Sequence, residues 1–239
     1  VIARSDELAA NLGAVRARID TAARGVGRDP AELTLVVVTK FFPAADVRLL
    51  AGHGVRDVGE NRDQEASAKA TELRPEFPDL HWHFVGQVQT NKVRSLARYA
   101  GTVHSVDRVK LAVALGHAAA QLDREIGCFV QVDLAADLRR DADAGRGGAV
   151  GEDVFRVADA VAASPVLRLR GLMAVAPLGA DPAAAFDALA HTAGRLREHH
   201  PQARALSAGM SGDLEQAVAA GATHLRVGSA ILGSRPPAR

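Results

Sequence analysis

The sequence predicts an α/β protein: a single (β/α)8 barrel of the TIM type with one extra helix at its N-terminus. Two observations carry this. Eight short runs rich in β-branched and apolar residues alternate with eight helical patterns. Regular alternation of this kind selects a parallel sheet with crossover helices. The chain has 239 residues, close to the length of one closed eight-unit barrel. The alternative is an open doubly wound sheet. That fold normally opens on a Gly-rich turn, whereas the first strand here runs into Thr39-Lys40-Phe41-Phe42-Pro43. No domain boundary is visible, so residues 1–239 read as one domain.

The N-terminal helix rests on Leu8, Leu12, Val15, Ile19 and Ala22, spaced by threes and fours along one face, with Ser5 as its expected N-cap. The strand candidates follow at 33–40, 56–60, 81–86, 102–107, 127–133, 168–175, 204–209 and 223–228. The helical patterns lie near 43–52, 61–73, 90–98, 108–124, 151–163, 182–200 and 211–221, with a short one from 229. The one low-complexity stretch, Ala135 to Gly151, would be the loop after strand five. It reads as a solvated loop. Its Arg139, Arg140 and Arg146 are offset by Asp137, Asp141 and Asp143.

Composition narrows the function. The 29 Lys+Arg and 28 Asp+Glu nearly cancel, to a net charge of +1, and no long basic block stands out. Nucleic-acid binding therefore has no electrostatic support. No apolar run approaches the roughly 18 residues that span a membrane. The opening residues lack the apolar core of a signal peptide, and the single cysteine, Cys128, has no internal partner for a disulfide. A cytoplasmic protein is the expectation, and a monomer is the expected state.

The chemistry is expected at Lys40. It ends a run of β-branched and apolar residues, so its amine sits at the carboxyl end of a strand, where barrels keep their active sites. A lysine desolvated there can lose its proton and attack a carbonyl as a Schiff-base nucleophile. The bland alternative is a lysine that reaches past the strand end to water. A second signal lies in the last two units. Strand seven ends Ser207-Ala208-Gly209-Met210-Ser211-Gly212-Asp213, and strand eight continues into Gly228-Ser229. Small residues opening helices after strands seven and eight make a phosphate cradle. A ligand with both an aldehyde and a phosphate is pyridoxal 5′-phosphate; a phosphosugar bound by an aldolase also fits. Arg226 shares a strand face with Gly228 and could reach the pyridine nitrogen of the former. An always-charged arginine there would keep that nitrogen unprotonated.

These residues resemble the pyridoxal-phosphate homeostasis family known as YggS or PROSC. The resemblance runs over nearly the whole chain. It rests on Val37-Val38-Thr39-Lys40, Gly59-Glu60-Asn61 with Gln64-Glu65, and the run from His81 to Lys92. Gly171-Leu172-Met173, Ser207 to Asp213 and Arg226 to Gly233 complete it. The resemblance implies a barrel like the N-terminal domain of alanine racemase, a fold type III pyridoxal-phosphate protein. It implies that Lys40 holds the cofactor as a Schiff base and that Ser211, Gly228 and Ser229 bind its phosphate. It places Arg226 near the pyridine nitrogen, with Asn61 and Met210 beside the cofactor. It implies binding, storage and delivery of the cofactor to apo-enzymes without strong catalytic turnover. A weak racemase or lyase is the alternative. Departures from the family pattern are small: Ala208 stands where a larger residue is common, and the strand-five loop is rich in Arg, Ala and Gly.

The remaining residues point elsewhere. His81 and His83 face one side of a strand and could begin a metal site, with His104 and Asp133 as further candidates. Packing or hydrogen bonding is the preferred reading, and no metal is expected. Cys128 and Met173 read as core. Phe41 and Phe42 straddle a strand end, so one should face inward and the other outward. Tyr99 is the only tyrosine. It is expected on the amino-terminal side of the barrel, where it could not serve as the second acid/base group of a two-base racemase. The chain ends soon after strand eight, and a second, C-terminal domain that could supply such a group is not expected.

Overall fold

A computed structural model describes residues 3–135 and 147–234. Eight parallel strands close into a barrel in chain order. They are β1 (Thr34–Val38), β2 (Asp57–Glu60), β3 (His81–Phe84), β4 (Thr102–Val106), β5 (Ile126–Gln131), β6 (Leu167–Met173), β7 (Ala205–Ser207) and β8 (His224–Val227). β8 pairs back onto β1, with Val36 opposite Arg226. The helices are α1 (Arg4–Gly25), α2 (Ala44–Gly52), α3 (Asp63–Leu73), α4 (Val93–Leu96) and α5 (Val109–Ala120), then α6 (Asp153–Ala162), α7 (Pro182–His199), α8 (Leu214–Ala219) and α9 (Ser229–Leu232). The predicted (β/α)8 barrel and its extra helix are both present.

The extra helix earns its place by packing. Leu8, Leu12, Val15, Ile19 and Ala23 of α1 are buried, and the helix lies against α8 and α9. The last buried position is Ala23 rather than the expected Ala22, one step of four beyond Ile19. Ser5 is not the cap. The helix begins at Arg4 with Ala3 at the N-cap, and Ser5 Oγ instead meets His53 Nε2 at 2.9 Å. Asp6 and Glu7 in the first turn complement the positive helix end in place of a capping side chain.

Two cores result from the strand alternation. Val37, Val58, Trp82, Phe84, Val103 and Leu225 belong to the apolar layer shared between strands and helices. Val36, Val38, Phe129 and Met173 are buried but stand apart from that layer, on the inner face of the barrel. Cys128 is fully buried in the outer layer, as expected of a small core residue. Barrel interiors are usually filled by branched aliphatic side chains. Here His83, His104, Ser207 and Arg226 are buried as well, all at 5% exposure or less.

β7 is shorter than its apolar run suggested. Gly209 takes φ +86, a conformation that disfavours other residues, and Asp213 Oδ1 accepts the Met210 amide N–H. The chain therefore turns at 210–213, and α8 starts at Leu214 instead of 211. The arginine-rich part of the strand-five loop, with Arg139, Arg140, Arg146, Asp137, Asp141 and Asp143, lies outside the described residues.

Candidate functional site

At the carboxyl ends of the strands lies a cavity of about 520 Å³. Lys40, Met210, Ser211, Arg226, Gly228 and Ser229 all line it. Three stretches of sequence, one near the start of the chain and two near its end, thus meet where barrel chemistry is done. Asn61 is the exception among the expected site residues. It borders a neighbouring cavity with Gln87 and Lys92. Its Oδ1 is buried without a hydrogen-bond partner among the described residues.

Lys40 is half-buried just past the end of β1. Its ammonium nitrogen lies 5.9 Å from the centre of the Phe41 ring. Phe41 has φ +71, strained for a residue with a side chain. This breaks the alternation expected past the strand, and both Phe41 and Phe42 line the cavity. The residue beneath Lys40 is tightly held. Thr39 Oγ1 donates to Glu60 Oε1 at 2.6 Å, and Lys69 Nζ donates to the same oxygen at 2.7 Å and to the Thr39 carbonyl at 3.0 Å. Burial pushes the Glu60 carboxyl up, and the Lys69 charge opposes that only in part. Lys69 is thus spent on structure and buried, while Lys40 faces the cavity.

The opposite wall comes from β7 and β8. Ser229 Oγ donates to Ser211 Oγ at 3.1 Å, and the Ala230 amide donates to Ser211 Oγ at 3.3 Å. Ser211 sits in the turn before α8, not in a first helical turn as its sequence neighbours suggested. Gly228 is the N-cap of α9, as expected. A Cβ there would lie 3.0 Å from the Val38 carbonyl oxygen, so glycine relieves a tight backbone approach to β1. Met210 is 39% exposed at the rim.

Arg226 is the most deeply set polar group of the wall. Its NH1 donates to Ser207 Oγ at 2.6 Å and its NH2 to the Ala174 carbonyl at 2.8 Å. Burial lowers its pKa to about 10, which leaves it charged at neutral pH.

The histidines that sequence spacing offered as metal candidates are hydrogen-bonded to other side chains. His83 Nδ1 meets His104 Nε2 at 2.8 Å, and His83 Nε2 meets Asp57 Oδ1 at 2.9 Å. Asp57, not Asp133, is the acidic neighbour, because Asp57 opens β2 directly beside His81 of β3. Asp133 lies past the other end of β5, where it caps the Ala135 amide. Asp57, His81 and His83 offer ligand atoms within 4.8 Å of one another. Their donors are engaged in hydrogen bonds, His81 Nε2 with Thr102 Oγ1 at 2.9 Å. Burial lowers His81 to about 4 and His224 to about 3, and it takes His104 well below the usual range.

Tyr99 is buried in the helix layer, with its hydroxyl donating to Asp63 at 3.3 Å. It does not line the cavity. Sequence reasoning missed Val85, Met173 and Val175 as cavity walls. Alternation along strands three and six was the signal available for Val85, Met173 and Val175.

Residues 10–236 match the family model described as alanine racemase, N-terminal domain. The pyridoxal phosphate homeostasis protein of Mycobacterium leprae is 44% identical over 96% of this chain and 93% of its own length. The chain belongs to the pyridoxal phosphate homeostasis protein family. PipY of Synechococcus elongatus PCC7942, solved with PLP bound, is 35% identical, with a TM-score of 0.81 over 95% of this chain and 100% of that one. Alanine racemase from Corynebacterium glutamicum, 16% identical with a TM-score of 0.66, shares the fold over 95% of this chain and 60% of its own. Among the described residues, no helix is long and apolar enough to cross a membrane.

Proposed function

We infer that this protein binds pyridoxal 5′-phosphate in the barrel-mouth cavity and holds it for delivery to apo-enzymes. The observation that carries this is the convergence of an amine, two serine hydroxyls and a buried guanidinium on one cavity of about 520 Å³. The family relatives and the PLP-bound PipY support the same ligand. The residues fit it. Ser211, Gly228 and Ser229 form a polar ledge for the phosphate, and Gly228 keeps that ledge free of a side chain. Arg226 would face the ring, and Met210 would cover the rim. Asn61, with its unpartnered Oδ1, stands next to the cavity and completes the set. When bound, the cofactor supplies an aldehyde that Lys40 can capture. Residues 1–239 act as one cofactor-binding domain, a cytoplasmic monomer.

Carriage rather than turnover follows from what surrounds the ring. A charged Arg226 beside the pyridine nitrogen would disfavour its protonation and weaken the ring as an electron sink. The single tyrosine is buried away from the cavity, its pKa pushed up by burial and by Asp63. It therefore cannot shuttle a proton there.

The test is spectroscopic. Incubation with pyridoxal phosphate should produce a visible absorption band, and borohydride reduction with peptide mapping should place the label on Lys40. Label on Lys69, Lys92 or Lys110 would reject the site. Lys40→Ala should lose the band yet retain cofactor through its phosphate. Exchange of amino-acid α-protons into deuterated water should stay far below about 1 per second, the lower end of enzyme turnover.

A further inference from the structure

A line of polar side chains crosses the barrel interior, where aliphatic packing is the rule. Its links are Arg226 to Ser207 at 2.6 Å, Ser207 to His104 at 2.8 Å, His104 to His83 at 2.8 Å and His83 to Asp57 at 2.9 Å. Arg226 opens into the cavity at the carboxyl ends of the strands. Asp57 is the first residue of β2, at the opposite face. The line therefore spans the barrel from one mouth to the other. It uses five residues from five strands.

For neutral imidazoles, its two ends fix the direction of every hydrogen bond. A guanidinium only donates, so Ser207 Oγ accepts from Arg226. A carboxylate only accepts, so His83 carries its proton on Nε2 and donates to Asp57. With both rings neutral, His83 Nδ1 is then bare and accepts from His104 Nε2–H. His104 Nδ1 is bare in turn and accepts the Ser207 hydroxyl proton. Among arrangements with neutral rings this one alone satisfies all four links, and it turns a Ser207 lone pair toward Arg226. Full burial keeps His104 neutral, as this arrangement needs. Burial, the largest single influence, would raise Asp57, but the hydrogen bond from His83 and the electrostatic pull of His83, His81 and His224 together hold the carboxyl below its usual value. His104 also stacks on Phe129, with ring centres 4.5 Å apart, which locks the ring plane.

We propose that Ser207, His104 and His83 are positioning residues that hold Arg226 toward the bound cofactor, as a one-way hydrogen-bonded line anchored on the Asp57 carboxylate. This rests on the reading of Arg226 as the group facing the cofactor ring. None of the three lines the cavity, so each acts through the arginine. Buried polar groups are costly unless fully paired. Here the pairing is complete, and its product is a guanidinium held on one side by Ser207 and on the other by the Ala174 carbonyl.

The experiment uses the full chain. Nitrogen-15 spectra of histidine-labelled protein, without cofactor, should show both His83 and His104 as Nε2–H tautomers. Either ring as Nδ1–H would overturn the line. Ser207→Ala and His104→Phe should then each weaken pyridoxal phosphate binding by about two- to thirtyfold, the usual span for residues acting through another. They should also shift the absorption band of the bound cofactor, and the loss should be equal for unphosphorylated pyridoxal. Folded variants with unchanged affinity and band would reduce the line to structural packing and reject the proposal. A wild-type chain that takes up no pyridoxal phosphate would remove the cofactor reading and the positioning role with it. The tautomers, read without cofactor, separate that failure from failure of the line itself.

Discussion

Ser211 and Ser229 test the phosphate ledge, and their own bond sets the expected size of the effect. Ser229 spends its hydroxyl proton on Ser211 Oγ, whose lone pairs also take the Ala230 amide. The Ser211 hydroxyl proton is therefore the one left to donate to a phosphate. A hydrogen bond to a charged group is worth about 1.5–3 kcal/mol. At 1.4 kcal/mol per decade, Ser211→Ala should weaken pyridoxal phosphate binding roughly ten- to hundredfold. Ser229→Ala removes only the support of that serine and should cost less. The double substitution should fall short of the product of the two, because the residues touch. Unphosphorylated pyridoxal should lose little with any of them. Equilibrium titration of each variant with both ligands reads this directly. Equal losses for the two ligands, or a larger loss from Ser229→Ala, would refute the assignment.

Two further substitutions probe the supports of the site. Lys69→Met should cost about 3–5 kcal/mol at neutral pH, because it strands the buried Glu60 carboxylate. A carboxyl whose folded pKa is raised favours the folded state in acid and disfavours it as pH climbs through that value. Losing Lys69 raises Glu60 further, so the deficit should shrink on acidification, and Glu60→Gln should restore part of it. Denaturant unfolding across pH checks this, and a pH-independent deficit would contradict it. Gly171→Ala should cost about 3 kcal/mol or more, the upper end for overpacking. Its Cβ would fall 1.8 Å from the Ala205 carbonyl oxygen, a backbone atom that no rotamer change can move. The clash prises β6 from β7, so cofactor affinity, read by titration, should fall with stability.

The barrel was legible because strand-like and helical patterns alternate through all eight units. Errors arose where a side chain outside the pattern decided the geometry. Ser5 looked like a cap, but the acidic first turn of α1 starts one residue earlier and Ser5 serves His53. The run 204–209 looked like one strand, but Gly209 and Asp213 turn it after Ser207. For the site, Lys40, Arg226, Gly228 and Ser229 could be placed at strand ends by spacing. The roles of Asn61 and Met210 came only from family resemblance, since no periodicity marks them. The interior line was not legible at all. Strand periodicity tells which residues face inward. It does not tell which of them meet, and Asp57, His83, His104 and Ser207 find one another only once the strands close in register.

The three parts of the site are held by three separate supports, and that division suits a carrier. Thr39, Glu60 and Lys69 pin the strand end that presents Lys40. Ser207 and Ala174 fix Arg226 deep in the mouth. The Ser211 and Ser229 hydroxyls lean on each other and on the Ala230 amide, and the Ser211 carbonyl takes Arg18, with Ser229 exposed at the rim. A cofactor seated on these groups would have its ring end against rigid, buried partners and its phosphate end on a ledge open to water. Release would then begin at the phosphate, where a competing protein can supply its own donors without unfolding the barrel. A catalyst needs the reverse economy. It closes the site to exclude water and sets a second proton carrier across the ring; here Ser229 on the ledge is exposed, and the Tyr99 hydroxyl is engaged with Asp63.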